Sequence, residues 1–271
     1  MEHIEELIKA RRSVRTFDGR AVSPEDLEKL SSFMKQIENP YGLPVTCQLL
    51  NGKTQKLKCY AISGTELYIG AKVPHVPHME EAVGYSFETL VLYAQSLGIG
   101  TVWIGGTMDR PAFERAMALA ENEKMPCMSP IGYPAQKKSL MESLMRKGIK
   151  ADSREPFLML FYDGTFNTRL TWDKAGSLAH PLEMVRRGPS AGNKQPWRAV
   201  LSENAIHFYL KHTEGFVSEA AGDMQKVDLG IALCHFALAT EENGLNIQFC
   251  ISDPEIAVEP DTEYIASYLF Q

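Results

Sequence analysis

The sequence predicts an α+β fold built as two similar halves, and three observations carry that reading. Two long helical patterns, Met79–Leu97 and Val227–Asn243, are apolar on more than one face, which places both at the centre of the molecule. Each stops at a glycine, Gly98 and Gly244. Strand-like runs accompany both helices in a similar order, and the closing strand Glu263–Phe270 is like Glu66–Val73 of the first half. The boundary falls near Asp152–Gly164, giving halves of residues 1–155 and 156–271.

Taken in order, Ile4, Leu7 and Ile8 repeat at helical spacing, so Glu2–Arg12 is expected as a helix. It ends in Arg11 and Arg12, which suit the negative C-terminal pole. Arg15 lies beyond that helix and needs another explanation. Ser23 caps a second helix whose buried face is Leu27, Leu30, Phe33 and Met34, and Asn39–Pro44 breaks it. Val45–Leu50 and Leu57–Ile62 read as strands about an Asn51-Gly52 hairpin signal. Next comes the strand Glu66–Val73. His75 and His78 stand close together, but flanking prolines disfavour a helix and no partners cluster, so no metal site is expected.

Gly98–Thr107 reads as a buried strand flanked by glycines. It is not a dinucleotide fingerprint, because Trp103 replaces the third glycine and no helix follows directly. Asp109-Arg110-Pro111 opens a helix to about Glu121, and Met125–Gly132 is a strand. A basic region follows, with Lys137, Lys138, Arg146, Lys147, Lys150 and Arg154. In the second half Pro181–Gly188 stands where Asp26–Asn39 stood, and Trp197–Leu201 and Ala205–Leu210 are strands. Leu245–Ile251 is the counterpart of Gly100–Ile104.

Composition narrows the function classes. Hydrophobic content of 44% and charged content of 23% suit a globular protein with a sizeable core, and 271 residues allow two intimate half-domains. A net charge of -6 argues against a broad nucleic-acid surface. No apolar run approaches the roughly 20 residues needed to span a bilayer, and Met1–Arg12 is not a signal peptide, so no membrane partner is expected. Five cysteines without metal or redox-pair spacing fit reduced thiols in a cytoplasm.

Two segments carry chemistry. Arg186–Trp197 reads RRGPSAGNKQPW: a helix end that Gly188, Pro189 and Gly192 interrupt, followed by Ser190, Asn193 and Gln195 as polar groups and Trp197 as an aromatic wall. Such a loop suits the polar edge of a flat heterocycle, although alone it reads equally well as an ordinary helix-to-strand turn. Lys9–Asp18 reads KARRSVRTFD, with Arg11, Arg12 and Arg15 around Ser13. Together the two segments resemble the nitroreductase family of FMN-dependent oxidoreductases, most closely members with two fused half-units. Pro130-Ile131-Gly132-Tyr133-Pro134 adds to the resemblance.

That resemblance implies a nitroreductase-like fold in which one chain resembles a homodimer. It implies that Arg11, Arg12, Ser13 and Arg15 hold the FMN phosphate, with Lys150 or Arg154 completing the cradle. Pro189, Ser190, Ala191, Asn193, Gln195 and Trp197 would form the ring pocket, with Gly105 and Gly106 letting backbone approach the ring. The first half lacks the PSAGN chemistry at Asn39–Pro44, and Gly164–Trp172 in the second holds only Arg169. One complete site per chain, in a monomer acting as a pseudo-dimer, is therefore expected. NADH or NADPH would reduce the flavin, and a nitro- or quinone-like small molecule would reoxidise it. Dehalogenation, flavin breakdown and non-catalytic flavin storage remain alternatives. No side chain is needed as nucleophile or base, since hydride chemistry belongs to the cofactor.

Overall fold

In chain order the computed structural model, which describes residues 1–271, runs α1 (Ile4–Ala10), α2 (Pro24–Met34), β1 (Thr46–Asn51), α3 (Gly52–Gln55) and β2 (Leu67–Pro74). It continues with α4 (Met79–Ser96), β3 (Gly100–Thr101), α5 (Arg110–Ala116), β4 (Glu123–Gly132), α6 (Leu140–Gly148) and α7 (Phe157–Leu160). Then come β5 (Phe161–Asp163), α8 (Trp172–Ala175), α9 (Ala179–Arg187), β6 (Trp197–Leu201) and β7 (Ala205–Lys211). The short pair β8 (Val217–Ser218) and β9 (Gly222–Asp223) leads to α10 (Met224–Glu242), β10 (Ile247–Cys250) and β11 (Thr262–Phe270). The class is α+β.

Two sheets flank a central helix pair. The first has the order β1-β2-β4-β3, all antiparallel. The second has the order β10-β11-β7-β6-β5, with only β5 and β6 parallel. Val83, Phe87 and Leu90 of α4 pack with Ile69, Ala71 and Cys127 of the first sheet. Leu229, Leu233 and Phe236 of α10 pack with Phe208, Ala266 and Tyr268 of the second. Neither helix has a polar face to give to solvent, so each also needs the other. They cross with backbones almost touching: a Cβ on Gly84 would lie 2.0 Å from the Val227 carbonyl oxygen, and one on Gly230 would lie 2.1 Å from that of Glu81. Only glycine fits there. No helix is long and apolar enough to cross a membrane.

The first helix is tied to this pair at both ends. The Ile4 and Glu5 N–H groups donate to the Glu242 carboxylate at 2.7 and 2.9 Å, so an anion from the end of α10 caps the positive end of α1. Ile4 and Ile8 pack with Leu92, Met184 and Ala239. That anchoring delivers Arg11, the residue after α1, to the central helix pair, beside Glu88 of α4.

Four expectations change. Asn51 does not begin a hairpin: its Oδ1 accepts from the Thr54 N–H at 3.1 Å and starts α3, while β1 pairs with β2. Leu57–Ile62 is consequently irregular, touching the rest through a Cys59–Met108 bridge. Gly98–Thr107 is strand only at Gly100–Thr101, because Ser129 Oγ takes the Val102 N–H at 3.0 Å in place of a ladder partner. The helix after Asp109 ends at Ala116, short of Glu121. Within the basic region Ser139 caps α6, its Oγ accepting from the Glu142 N–H at 3.1 Å.

Candidate functional site

Past α1 the chain turns under α6. Glu142, buried in the first turn of α6, accepts from the Arg15 N–H at 3.3 Å and the Thr16 hydroxyl at 2.8 Å. Arg146, one turn on, donates to the Ser13 carbonyl at 3.4 Å and is paired with Asp152. Residues 11–16 are therefore held between the helix pair and α6 by backbone and hydroxyl contacts to Glu142 and Arg146.

Arg11 does not lie on a solvated surface as a partner of the helix dipole. It is buried, with Nε 3.7 Å from Glu88 Oε1 on α4. Glu88 in turn faces His235 Nε2 at 2.9 Å and accepts from Trp103 Nε1 at 2.8 Å. His235 Nδ1 lies 2.8 Å from the Met184 carbonyl, so both ring nitrogens face oxygen atoms. This network joins α1, α4, α9 and α10 behind the site. Burial pulls the Arg11 guanidinium below its ordinary value, Glu88 opposes that, and Arg146 adds to it. Burial does the same to Arg15, opposed by Glu142.

Even so, Nε and Nη1 of both Arg11 and Arg15 find no acceptor in the chain. Four buried N–H-bearing nitrogens without a hydrogen bond, of which only Arg11 Nε has an anion nearby in Glu88, are costly unless a closer acceptor meets them. Arg11, Arg12 and Ser13 line a cavity of about 310 Å³ together with Arg146, Arg154 and Arg187. Burial and the neighbouring charges of Arg11 and Arg186 bring Arg154 down to about 10. Asp152 and Glu183 compensate part of this charge through Arg146 and Arg187. What remains is a cationic chamber fitted for an anion of high charge.

Ser13, Ile149, Pro189 and Ser190 also border a second chamber of about 380 Å³, so the two form one cleft. Arg15, Gly105, Gly106 and Ala191 line it, among apolar groups of Ile104, Met145, Phe216, Met224 and Ile231. The Gly105 carbonyl is pinned by Arg110 Nη2 at 2.6 Å, while neither the Gly105 nor the Gly106 N–H is taken by an acceptor in the chain. A Cβ on Gly106 would meet nothing within 4 Å. Opposite, Asp228 of α10 accepts from the Ala191 N–H through both carboxyl oxygens at 3.0 Å. Burial pushes the Asp228 carboxyl well above the usual range. Sequence reasoning passed over Asp228, although an acid in so apolar a helix is a visible signal.

The loop uses several of its polar groups on itself. Gly192 and Asn193 both take left-handed backbone, the turn that presents Ser190 and Ala191 to the cleft. Gln195 is buried; it accepts from the Glu155 N–H at 2.9 Å and donates to the Asn193 carbonyl at 3.3 Å. It lines neither chamber. Asn193 borders the cationic chamber, where it donates to the Lys150 carbonyl at 2.8 Å and accepts from Arg154 at 3.3 Å. Trp197 is not a wall of the cleft, because the strand alternation of β6 turns it into the core beside Leu182 and Leu210. Nor does Lys150 line the cationic chamber: its carbonyl accepts from Asn193, and Arg146 and Arg154 supply the charge.

The family model described as "Putative TM nitroreductase" matches residues 3–240, and the chain belongs to this family. A structure solved as a "putative nitroreductase" from Thermotoga maritima shares the fold, with a TM-score of 0.62 and 19% identity over 98% of this chain and 92% of that one. An FMN-dependent nitroreductase of Clostridium difficile R20291 aligns at 18% identity and a TM-score of 0.42, over 49% of this chain and 88% of its own. Iodotyrosine deiodinase, solved with FMN and 3-iodo-L-tyrosine, aligns at 15% identity and a TM-score of 0.41, over 50% and 92%. No curated protein matches the sequence.

Proposed function

We propose that this nitroreductase-family chain is an FMN-dependent oxidoreductase with one cofactor cleft, using NADH or NADPH as donor and a nitro- or quinone-like molecule as acceptor. One observation carries the reading: buried Arg11 in a cationic chamber and buried Arg15 in the apolar chamber joined to it each keep guanidinium nitrogens without a hydrogen-bond partner. FMN makes matching demands, with a phosphate of about two negative charges at one end and a flat heterocycle at the other. When bound, it would supply the hydride chemistry.

Each residue then has a physical task. Arg11, Arg12, Arg146 and Arg154 bind the phosphate, each charge-assisted bond worth about 1.5–3 kcal/mol. The free Gly105 and Gly106 amides are donors for the polar edge of the ring, a preorganised field where negative charge builds on reduction. Phe216, Met224 and Ile231 give the ring an apolar bed and exclude water. Asp228 fixes the Ala191 amide and with it the loop edge. The crossing of α4 and α10 inside one chain leaves no second copy needed to complete the cleft, which supports a monomeric active unit.

Purified protein is expected to be yellow and to release FMN, not FAD, on denaturation. Flavin content against protein mass should give one FMN per chain, with light scattering reporting a monomer. NAD(P)H oxidation with an artificial acceptor tests turnover, and bound flavin without turnover would leave a flavin-binding protein. A colourless protein that FMN cannot titrate removes the reading altogether.

A further inference from the structure

The large hydrophobic side chains most open to solvent are not scattered. Leu140 is 85% exposed, Tyr60 75%, Val217 70%, Leu144 67% and Met141 60%, and no other large hydrophobic residue reaches those values. All five belong to segments that border the mouth of the cleft. Leu140, Met141 and Leu144 lie on α6, which lines the cleft through Met145. Val217 lines it from the opposite side, on the β8–β9 pair. The Tyr60 N–H donates to the carbonyl of Thr107, another lining residue, at 3.3 Å. Exposed apolar side chains thus gather on segments beside the cleft, and such clusters mark a surface that meets something apolar.

Charge identifies that something. Lys137, Lys138, Lys147 and Lys150 are exposed on and beside α6, within a chain whose net charge is -6. Meanwhile the anchoring groups Glu142 and Arg146 of the same helix point inward and are buried. Fixed from behind by charges and showing leucine, methionine and lysine outward, α6 has the composition of an interfacial helix. We infer that the mouth of the cleft docks on an anionic lipid bilayer, with Leu140, Met141 and Leu144 entering the headgroup boundary and the four lysines meeting lipid phosphates. This is peripheral contact, compatible with the lack of any helix that could span a membrane. It does not rest on the flavin reading, because vesicle binding needs no turnover.

The test is co-sedimentation of the full chain with vesicles of phosphatidylglycerol and phosphatidylcholine, against phosphatidylcholine alone. Binding is expected to the anionic vesicles, with release at high salt. The double variant Lys137→Glu, Lys138→Glu should weaken it on the order of 25-fold or more, at about fivefold for each lysine lost. Leu140→Ser with Leu144→Ser should weaken it about tenfold or more. All four positions are exposed, and unchanged circular dichroism would show that the fold survives. No binding to anionic vesicles, or binding that neither double variant weakens, would overturn the inference. So would a concentration-dependent dimer abolished by the leucine variant, which would place a second copy of the chain on this face.

Discussion

Two regions beside the central helix pair differ sharply in what they do with the same kinds of residue. At one, Arg11 and Arg15 keep two guanidinium nitrogens each without a partner, and the loop at Ser190 and Ala191 stands back to leave a cleft. At the other, the turn Asn39–Pro44 closes on itself: Asn39 Nδ2 donates to the Leu43 carbonyl at 2.8 Å and to Ser86 at 3.2 Å. The Tyr41 ring then fills the space, stacked on His78 with centroids 5.3 Å apart and edge-on to Phe249 at 4.9 Å. Elsewhere, at the β5 edge of the second sheet, away from Phe249, Arg169 lies 4.5 Å over the Tyr162 ring, and Arg198 spends its donors on the Gln195 and Trp197 carbonyls at 3.0 and 2.7 Å. A binding site here is a matter of what is withheld. Cations left unsatisfied and side chains kept short make the cleft, whereas the same cations satisfied internally make ordinary structure.

The largest expected effect tests whether the halves are one body. Gly84→Ala or Gly230→Ala drives a methyl into the facing helix backbone and should cost about 3 kcal/mol or more. Urea denaturation reads it directly, with Gly148→Ala as control, since a Cβ there meets nothing within 4 Å. Equal midpoints for Gly84→Ala and the control would mean that the crossing is looser than described.

Arg15→Ala comes next. It should weaken FMN binding by about 1.5–3 kcal/mol, roughly ten- to a hundred-fold or slightly more. Arg169→Ala, which removes a guanidinium already engaged by the Tyr162 ring, should leave FMN affinity unchanged. Titration of apoprotein by fluorescence quenching separates them, and equal losses would erase the distinction between free and engaged cations.

A smaller effect, with the opposite sign, belongs to Glu81 near Tyr41. Burial pushes its carboxyl up to about 7, with Lys226 opposing and Glu80 and Glu263 reinforcing the shift. The fold therefore keeps a proton that the unfolded chain gives up near pH 4.3. Its cost is absent below that pH, grows as pH rises towards about 7, and is constant above. Glu81→Gln should flatten that window and stabilise the protein by about 1–3 kcal/mol above pH 7. Parallel stability-against-pH curves for the two proteins would show that Glu81 does not titrate this way.

Smallest of all should be Arg169→Ala on stability, within about 1 kcal/mol, since a single cation–π contact at an accessible site is worth little more. A large loss would mean that Arg169 does more than cover the Tyr162 ring.

By itself the sequence determined the α+β class, the two central helices and two of the segments that line the cleft. Those signals are local: helical apolar spacing over Met79–Ser96, a serine cap at Ser23, clustered arginines at Arg11–Arg15, and a broken helix end before Ser190. The S-x-x-E start of α6 at Ser139–Glu142 was equally legible, though a run of lysines and arginines hid it. Only the tertiary structure decided which polar groups remain free. Arg11 meets Glu88 from a distant helix, Arg146 in place of Lys150 reaches the cationic chamber, and Gln195 is consumed by the Glu155 amide. Trp197 went to the core because the register of β6 against β7 turned it inward. Hydrogen-bond satisfaction and burial are properties of contacts between residues far apart in the chain, and no local pattern records which donors such contacts leave unpaired.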